Sequence, residues 1–292
     1  MAHGLGWYEL ALISAVFSAL AAVGEKKVLF RENPVVFCLM LFAASTLMTA
    51  PFLRFVDPGA LNPIGLAVLC GKSVLNAIAF LCVMQGLKRL ELSNALPFLV
   101  LVPGLVALAA FLLIGDTLTV RQGSGLGLLL VGTWLVEAGR MGLRPPPPWR
   151  SRGHRYILAA LALFTATSVL DKVIVVRLEI QPLPFVCFGN IFSLAFFAVA
   201  YGLSSQRPAG LRGCLRSSGG WIIGIALCTV VYRYTQISAV QLGPSVALVL
   251  AVKRLSVLLA TLLGGRLFAE SSLSRRALAV VVLLSGAFLV GT

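Results

Sequence analysis

Leu112-Leu113-Ile114-Gly115-Asp116-Thr117-Leu118 recurs 150 residues later as Leu262-Leu263-Gly264-Gly265-Arg266-Leu267-Phe268. Each copy runs from an apolar stretch through a glycine turn into a fresh apolar start. The same shift lays Ser93-Asn94-Ala95-Leu96 on Gly243-Pro244-Ser245-Val246. After four extra residues, Gly132-Thr133-Trp134-Leu135-Val136 falls on Gly286-Ala287-Phe288-Leu289-Val290. Near the two starts, Gly24-Glu25-Lys26-Lys27-Val28 resembles Leu170-Asp171-Lys172-Val173. The chain therefore reads as a duplication. Its seam is the longest polar connection, Gly139–Arg155, with four prolines at 145–148 followed by Arg150, Arg152 and Arg155. Proline fixes φ and cannot continue a helix. The expected organisation is a first repeat over 1–138, a Pro/Arg-rich linker over 139–155 and a second repeat over 156–292.

The material between these marks is too oily for water. Of 292 residues, 59% are hydrophobic and only 12% are charged, with a mean hydropathy of +0.97. Soluble domains carry roughly 25% charged residues. A chain this poor in polar groups cannot cover a water-soluble globule, so soluble and disordered classes are excluded. A transmembrane barrel needs alternating segments of about ten residues, whereas the apolar runs here are long and unbroken.

A spanning helix takes about 20 residues at 1.5 Å each. Ten such spans are expected: Leu10–Phe30, Pro34–Phe52, Ile64–Met84, Asn94–Ile114, Gly123–Ala138, Tyr156–Val176, Leu183–Leu203, Gly220–Ala239, Pro244–Gly264 and Ala277–Gly291. The fold class is all-α membrane protein. Five spans per repeat is an odd number, so two repeats joined head to tail lie inverted in the bilayer, an arrangement used by secondary transporters with a site near the midplane. Met1–Glu9 has no Lys or Arg, which speaks against a cleaved leader. Of the loop cations, Arg54, Arg121 and Arg177 fall on one side and fourteen on the other. Positive charge stays cytoplasmic, so the Arg-rich loops are expected inside and both termini outside.

Catalytic and metal chemistry find little to stand on. The two histidines, His3 and His154, lie in a terminus and a loop. HExxH and GxGxxG are absent, and no CxxC pair exists among the six cysteines, so no enzyme, metal site or cofactor is expected. Five cysteines fall in apolar spans and read as small buried hydrophobes; Cys214 falls in a polar loop. Gly220-xxx-Gly224 and Gly123-xxx-Gly127 read as points of close helix packing. Asn190 reads as interhelical glue, and Pro97 and Pro103 as kinks in the fourth span.

Charge at depth carries the functional reading. An ionisable side chain at the helix centre costs at least about 2.5–3.5 kcal/mol. Seven basic residues fall inside the spans: Lys26, Lys27, Lys72, Lys172, Arg233, Lys253 and Arg254. Lys26, Lys27, Lys172 and Arg233 lie close enough to span ends to snorkel. Lys72, Lys253 and Arg254 do not, so they face the bundle interior. Glu25 and Asp171 are the acids expected at depth. They can pair with neighbouring lysines across the repeat interface, which makes Glu25, Lys26, Asp171 and Lys172 candidates for coupling or gating. The surplus of buried cations suits an anionic small molecule. Expected substrate contacts are Lys72, Lys253 and Arg254, with Tyr232 or Tyr234 and Gln236 as hydrogen-bonding neighbours. The partners are then a small-molecule substrate and the bilayer, and nucleic acid is not among them.

The repeat ends, Leu113-Ile114-Gly115-Asp116-Thr117-Leu118 with Gln122-Gly123 and Gly265-Arg266-Leu267-Phe268-Ala269-Glu270 with Gly286, resemble the drug/metabolite transporter superfamily of the ten-helix EamA type. Asp116 stands where that family usually has a glutamate. The resemblance implies a multi-pass transporter of a bacterial inner (plasma) membrane, working by alternating access. Tyr232-Arg233-Tyr234-Thr235-Gln236 followed by Lys253-Arg254 looks like the late helices of sugar-phosphate translocators, a branch of the same superfamily. That likeness implies phosphate contacts at Lys253 and Arg254 with Tyr234 and Gln236 nearby. The spacing here is a few residues shorter. A small organic anion or phosphorylated metabolite is the expected cargo. Broad-specificity export of amino acids or drugs, and flipping of an anionic lipid headgroup, are the alternatives.

Overall fold

A computed structural model describes residues 5–29, 31–57, 62–89, 101–138, 152–203, 211–256, 259 and 273–291. Every described element is helical. In chain order they are α1 (Trp7–Leu29), α2 (Pro34–Thr49) continued by a 3₁₀ turn (Ala50–Phe55), α3 (Pro63–Arg89), α4 (Val102–Ile114) and α5 (Val120–Ala138). The second half holds α6 (Arg152–Lys172) continued by a π turn (Val173–Arg177), α7 (Pro182–Gly202), α8 (Leu211–Leu242), α9 (Val246–Lys253) and α10 (Leu273–Gly291). A helix occupies at least part of each expected span. Six of them, α1, α2 with its 3₁₀ turn, α3, α6, α7 and α8, have the length and hydropathy to cross a membrane. Pro97, most of the linker and the end of the ninth expected span lie outside the described residues.

The helix ends follow from local chemistry. Asn33 caps α2, its Oδ1 accepting from Val35 N at 2.9 Å, with Pro34 in the first turn. Ser245 caps α9 in the same way through Ala247 N, 3.3 Å away. Thr119 and Gln122 open α5 as a reciprocal box, each side chain accepting from the other's backbone N–H. The fifth helix therefore starts at Val120, ahead of the expected Gly123. Pro103 stands in the first turn of α4, where the missing N–H costs nothing, and does not kink it. Gly115 ends that helix at φ +73°, a left-handed position glycine takes freely.

One boundary is well off the expectation. The eighth helix starts at Leu211, not Gly220, and runs 32 residues. Cys214, Ser218, Ile222 and Ile225 recur at helical spacing and are buried, while Arg212 and Arg216 stay exposed. Polar residues on the opposite face masked this continuation, and Cys214 is a core thiol of α8 and not a loop residue.

Helix pairing crosses the midpoint of the chain throughout. α1 packs on α8 and α3 on α6; α2 packs on α7 and α5 on α10; α1 also meets α9, as α4 meets α6. Numbering helices within each half, the first of one meets the third of the other, both ways round. Second meets second and fifth meets fifth.

The glycines that permit close approach are not the expected ones. Nothing lies within 4 Å of a Cβ placed on Gly123, Gly127, Gly220 or Gly224. At Gly286, by contrast, a Cβ would meet Gly125 O and Leu129 N at 2.9 Å each, and at Gly125 it would meet Val290 at 2.8 Å. Backbone cannot yield as a side-chain tip can, so α5 and α10 touch only because these positions lack side chains. At the opposite edge, Glu32 accepts from the Ser217 and Ser218 hydroxyls at 2.6 and 2.9 Å, tying the loop after α1 to α8. The Ser217 hydrogen bond is the main cause holding the Glu32 carboxyl below its ordinary value; burial opposes it and Ser218 adds to it.

Two outcomes are expected. Gly286→Leu splits α5 from α10 and lowers the thermal midpoint in detergent, by about 1–3 kcal/mol of overpacking or more, while Gly127→Ala leaves it unchanged. Glu32 contributes stability that is complete above the ordinary glutamate value, about 4.3, and is lost as pH falls through its lower folded value. A midpoint-against-pH series should therefore show a smaller acid decline in Glu32→Gln than in the wild type.

Candidate functional site

Deep cations in an apolar bundle must find opposite charge, dipoles or a ligand. α6 supplies the first pairings. Its Asp171 and Lys172 are neighbours, so they point about 100° apart. Asp171 turns to α3, where its Oδ1 lies 2.6 Å from Lys72 Nζ, with both side chains under a tenth exposed. Lys72 Nζ also lies 4.7 Å from the centre of the Phe185 ring. Lys72 is thus compensated, contrary to the sequence expectation of an unmatched cation.

Lys172 turns the other way. Its Nζ donates to Asp116 Oδ1 at 2.6 Å and to Pro244 O at 2.7 Å. It does not snorkel: its side chain is 13% exposed and that of Asp116 11%. Asp116, in the α4–α5 turn, is a partner for Lys172 that the sequence reading did not find. Its signal was its place beside Gly115, whose left-handed turn folds the residue back over the end of α4. The lock joins three elements, the α4–α5 turn, the end of α6 and the α8–α9 turn. Arg177 adds a bond to Ile114 O at 3.2 Å. Beyond Lys172 the helix widens into its π turn, marked by Leu178 N bonding to Val173 O.

A second group gathers where α1, α8 and α9 meet. Tyr232, Arg233 and Gln236 share a face of α8. Lys253 Nζ donates to Gln236 Oε1 and stands 4.3 Å from the centre of the Tyr232 ring. Thus Tyr232, and not Tyr234, is the aromatic neighbour; Tyr234 is 44% exposed on the outer side of α8. Arg233 is not near a helix end, because α8 continues nine residues past it; its guanidinium lies 5.9 Å from the Phe42 ring centre. Among the described side chains, Lys72, Arg233, Lys253 and Arg254 thus lie in the interior with Glu25 and Asp171. Lys26 has no described side chain.

The regular turns of α9 break at Arg254, whose N–H is shared between Leu250 O and Ala251 O at 3.1 and 3.0 Å, and helix resumes at Leu255.

The Lys72–Asp171 pair gives a direct prediction. Asp171→Asn leaves a buried ammonium unmatched and should cost about 3–5 kcal/mol. The double variant Lys72→Met/Asp171→Leu should recover most of that loss, read as thermal midpoints in detergent.

Comparison with known proteins finds a likeness in the first half of the chain. Residues 5–138 match the model of the EamA-like transporter family. An "Uncharacterized transporter" of Archaeoglobus fulgidus is 30% identical over 135 residues, 45% of this chain and 48% of the relative. The chain thus spans about half the length of the curated relative it matches. A chain of known crystal structure superposes with a TM-score of 0.74 at 18% identity, covering 97% of this chain and 98% of that one. At that identity the likeness speaks for the fold, and it extends over both halves. The protein is an integral, multi-pass membrane protein whose residues 5–138 are similar to the EamA-like transporter family.

Proposed function

We propose that this protein is a secondary transporter of a small organic anion, phosphorylated metabolites included. The observation that carries the reading is Lys253, a deep ammonium whose described contacts are a neutral amide and a ring, with the cation Arg254 next to it in sequence. An Arg beside a Lys suits phosphate or carboxylate, one through its planar fork and the other as a point charge. Lys253, Arg254, Gln236 and Tyr232 are the proposed substrate contacts, and Lys72 acts at the site through its field while held by Asp171.

The proposed architecture is ten spans in two inverted repeats, 1–138 and 156–292, joined by the 139–155 linker. The reciprocal helix pairing supports it, since a two-fold axis in the membrane plane exchanges first-with-third contacts between the halves. The family match also ends at residue 138. Alternating access follows from rocking the halves about α2–α7 and α5–α10. The Asp116–Lys172–Pro244 lock then acts as the gate at the end poor in Lys and Arg, the proposed outer side. Glu25, Lys26 and Asp171 are the proposed coupling groups.

Binding stabilises the folded state in proportion to ligand affinity. Thermal shifts should therefore be measured with phosphorylated sugars, organic acids, neutral amino acids and cationic drugs, on wild type, Lys253→Ala and Arg254→Ala. Anions should stabilise the wild type, and each variant should bind them about 10–100-fold more weakly, the worth of a hydrogen bond to a charged group. Equal stabilisation of all three proteins by neutral or cationic compounds would assign the pair to structure and the protein to amino-acid or drug export.

A further inference from the structure

A buried polar stripe where α2 meets α7 has no role in the site above. Two contacts fix how these helices face each other. Cys187 Sγ lies 3.6 Å from Thr49 O, and the rings of Phe42 and Phe197 stack with centres 5.4 Å apart. At 100° per residue, Phe42, Ser45, Thr46 and Thr49 fall on one face of α2. Asn190, Ser193 and Phe197 fall on one face of α7, bordered by Cys187. Between the two anchoring contacts, Ser45 and Thr46 therefore oppose Asn190 and Ser193. Asn190 and Ser45 are fully buried and Ser193 is 1% exposed.

Among the described residues, both ends of the Asn190 amide, and the hydroxyls of Ser45, Thr46 and Ser193, have no hydrogen-bond partner. Interhelical glue would bond across the interface, so that reading of Asn190 fails. Thr49, one turn on, shows the local alternative, its hydroxyl donating back to Ser45 O at 2.9 Å. A buried unsatisfied polar group costs about 1–3 kcal/mol, and apolar side chains here would avoid that. A cation of the central interior also borders the stripe, Arg233 lying over Phe42 with its guanidinium 5.9 Å from the ring centre. Gly189, next to Asn190, faces α3, a Cβ there standing 3.7 Å from Ser73 Oγ.

We propose that Ser45, Thr46, Asn190 and Ser193 form a seat for the uncharged, hydrogen-bonding part of the anion whose charge Lys253 and Arg254 hold. This rests on the anion reading above. One amide and three hydroxyls offer donors and acceptors together. They match a polyhydroxy or amide-bearing body and reject a hydrocarbon one. The substrate is then two-ended, with an anionic group at the cations and neutral polar groups between α2 and α7.

The test compares erythritol phosphate, n-butyl phosphate and free erythritol by thermal shift on the full-length protein in detergent. Wild type should bind erythritol phosphate about 10–100-fold more tightly than n-butyl phosphate, the equivalent of one or two net hydrogen bonds. In Asn190→Leu and in Ser193→Ala that ratio should fall to within about threefold of unity. The milder Ser193→Ala carries the comparison if Asn190→Leu does not fold. A ratio unchanged in the variants, or no preference in wild type, overturns the seat. If neither phosphate binds, the anion reading fails, and erythritol decides the seat alone. Stabilisation by erythritol in wild type and not in Ser193→Ala keeps the seat, and no stabilisation by erythritol overturns it.

Discussion

An ionised side chain inside hydrocarbon must be answered by another charge, a dipole or a ligand, and the interior of this bundle is arranged around that requirement. Adjacent residues of opposite sign at the end of α6 answer it twice. Asp171 reaches Lys72 on α3, and Lys172 reaches Asp116 in the turn after α4. Both pairs join the first half of the chain to the second. α6 is thereby pinned from two directions, which sets how α3 and α4 lie against it. Lys253 of α9 is met differently, by a neutral amide and an aromatic ring of α8. Removing charge from the first kind of site leaves its partner buried and unmatched, whereas at the second no opposite charge is lost.

Much of this was legible in the sequence, because hydrocarbon imposes a strong and simple rule on composition. Each long apolar run holds a helix, and the buried position of Lys72 was foreseen from its distance to the span ends. Lys253, Gln236 and Tyr232 do meet. What was missed depends on direction rather than depth. Hydropathy cannot say which side of α8 faces inward, so Tyr232 and Tyr234 stood as equals until the helix was seen. It also stopped α8 too early, since a helix that emerges from the bilayer carries arginines on its open face. Glycine spacing marks a smooth helical surface but not its partner. Gly123 and Gly127 have open space beside them, while Gly125 and Gly286 carry the contact. Asp116 escaped because its burial comes from a left-handed turn and a lysine 56 residues away.

The reciprocal pairing of helices gives the interior its shape. The second helices of the two halves lie against each other, as do the fifth. The unsatisfied stripe of α2 and α7 sits on one of these seams, and the phenylalanines that bound it connect it to Arg233. Polar groups without partners on such a seam leave the α2–α7 contact weaker than that of α5 and α10, where backbones touch.

The lock at Asp116 and Lys172 has no matching pair in the sequence of the other half. Where the first copy of the repeat phrase has Asp116, the second has Arg266, and where the second half has Lys172, the first has Lys26. Two positive side chains cannot make the ion pair that Asp116 and Lys172 make. The chain therefore carries this tie once, and the three elements it joins shift together or give up a charge pair sheltered from water.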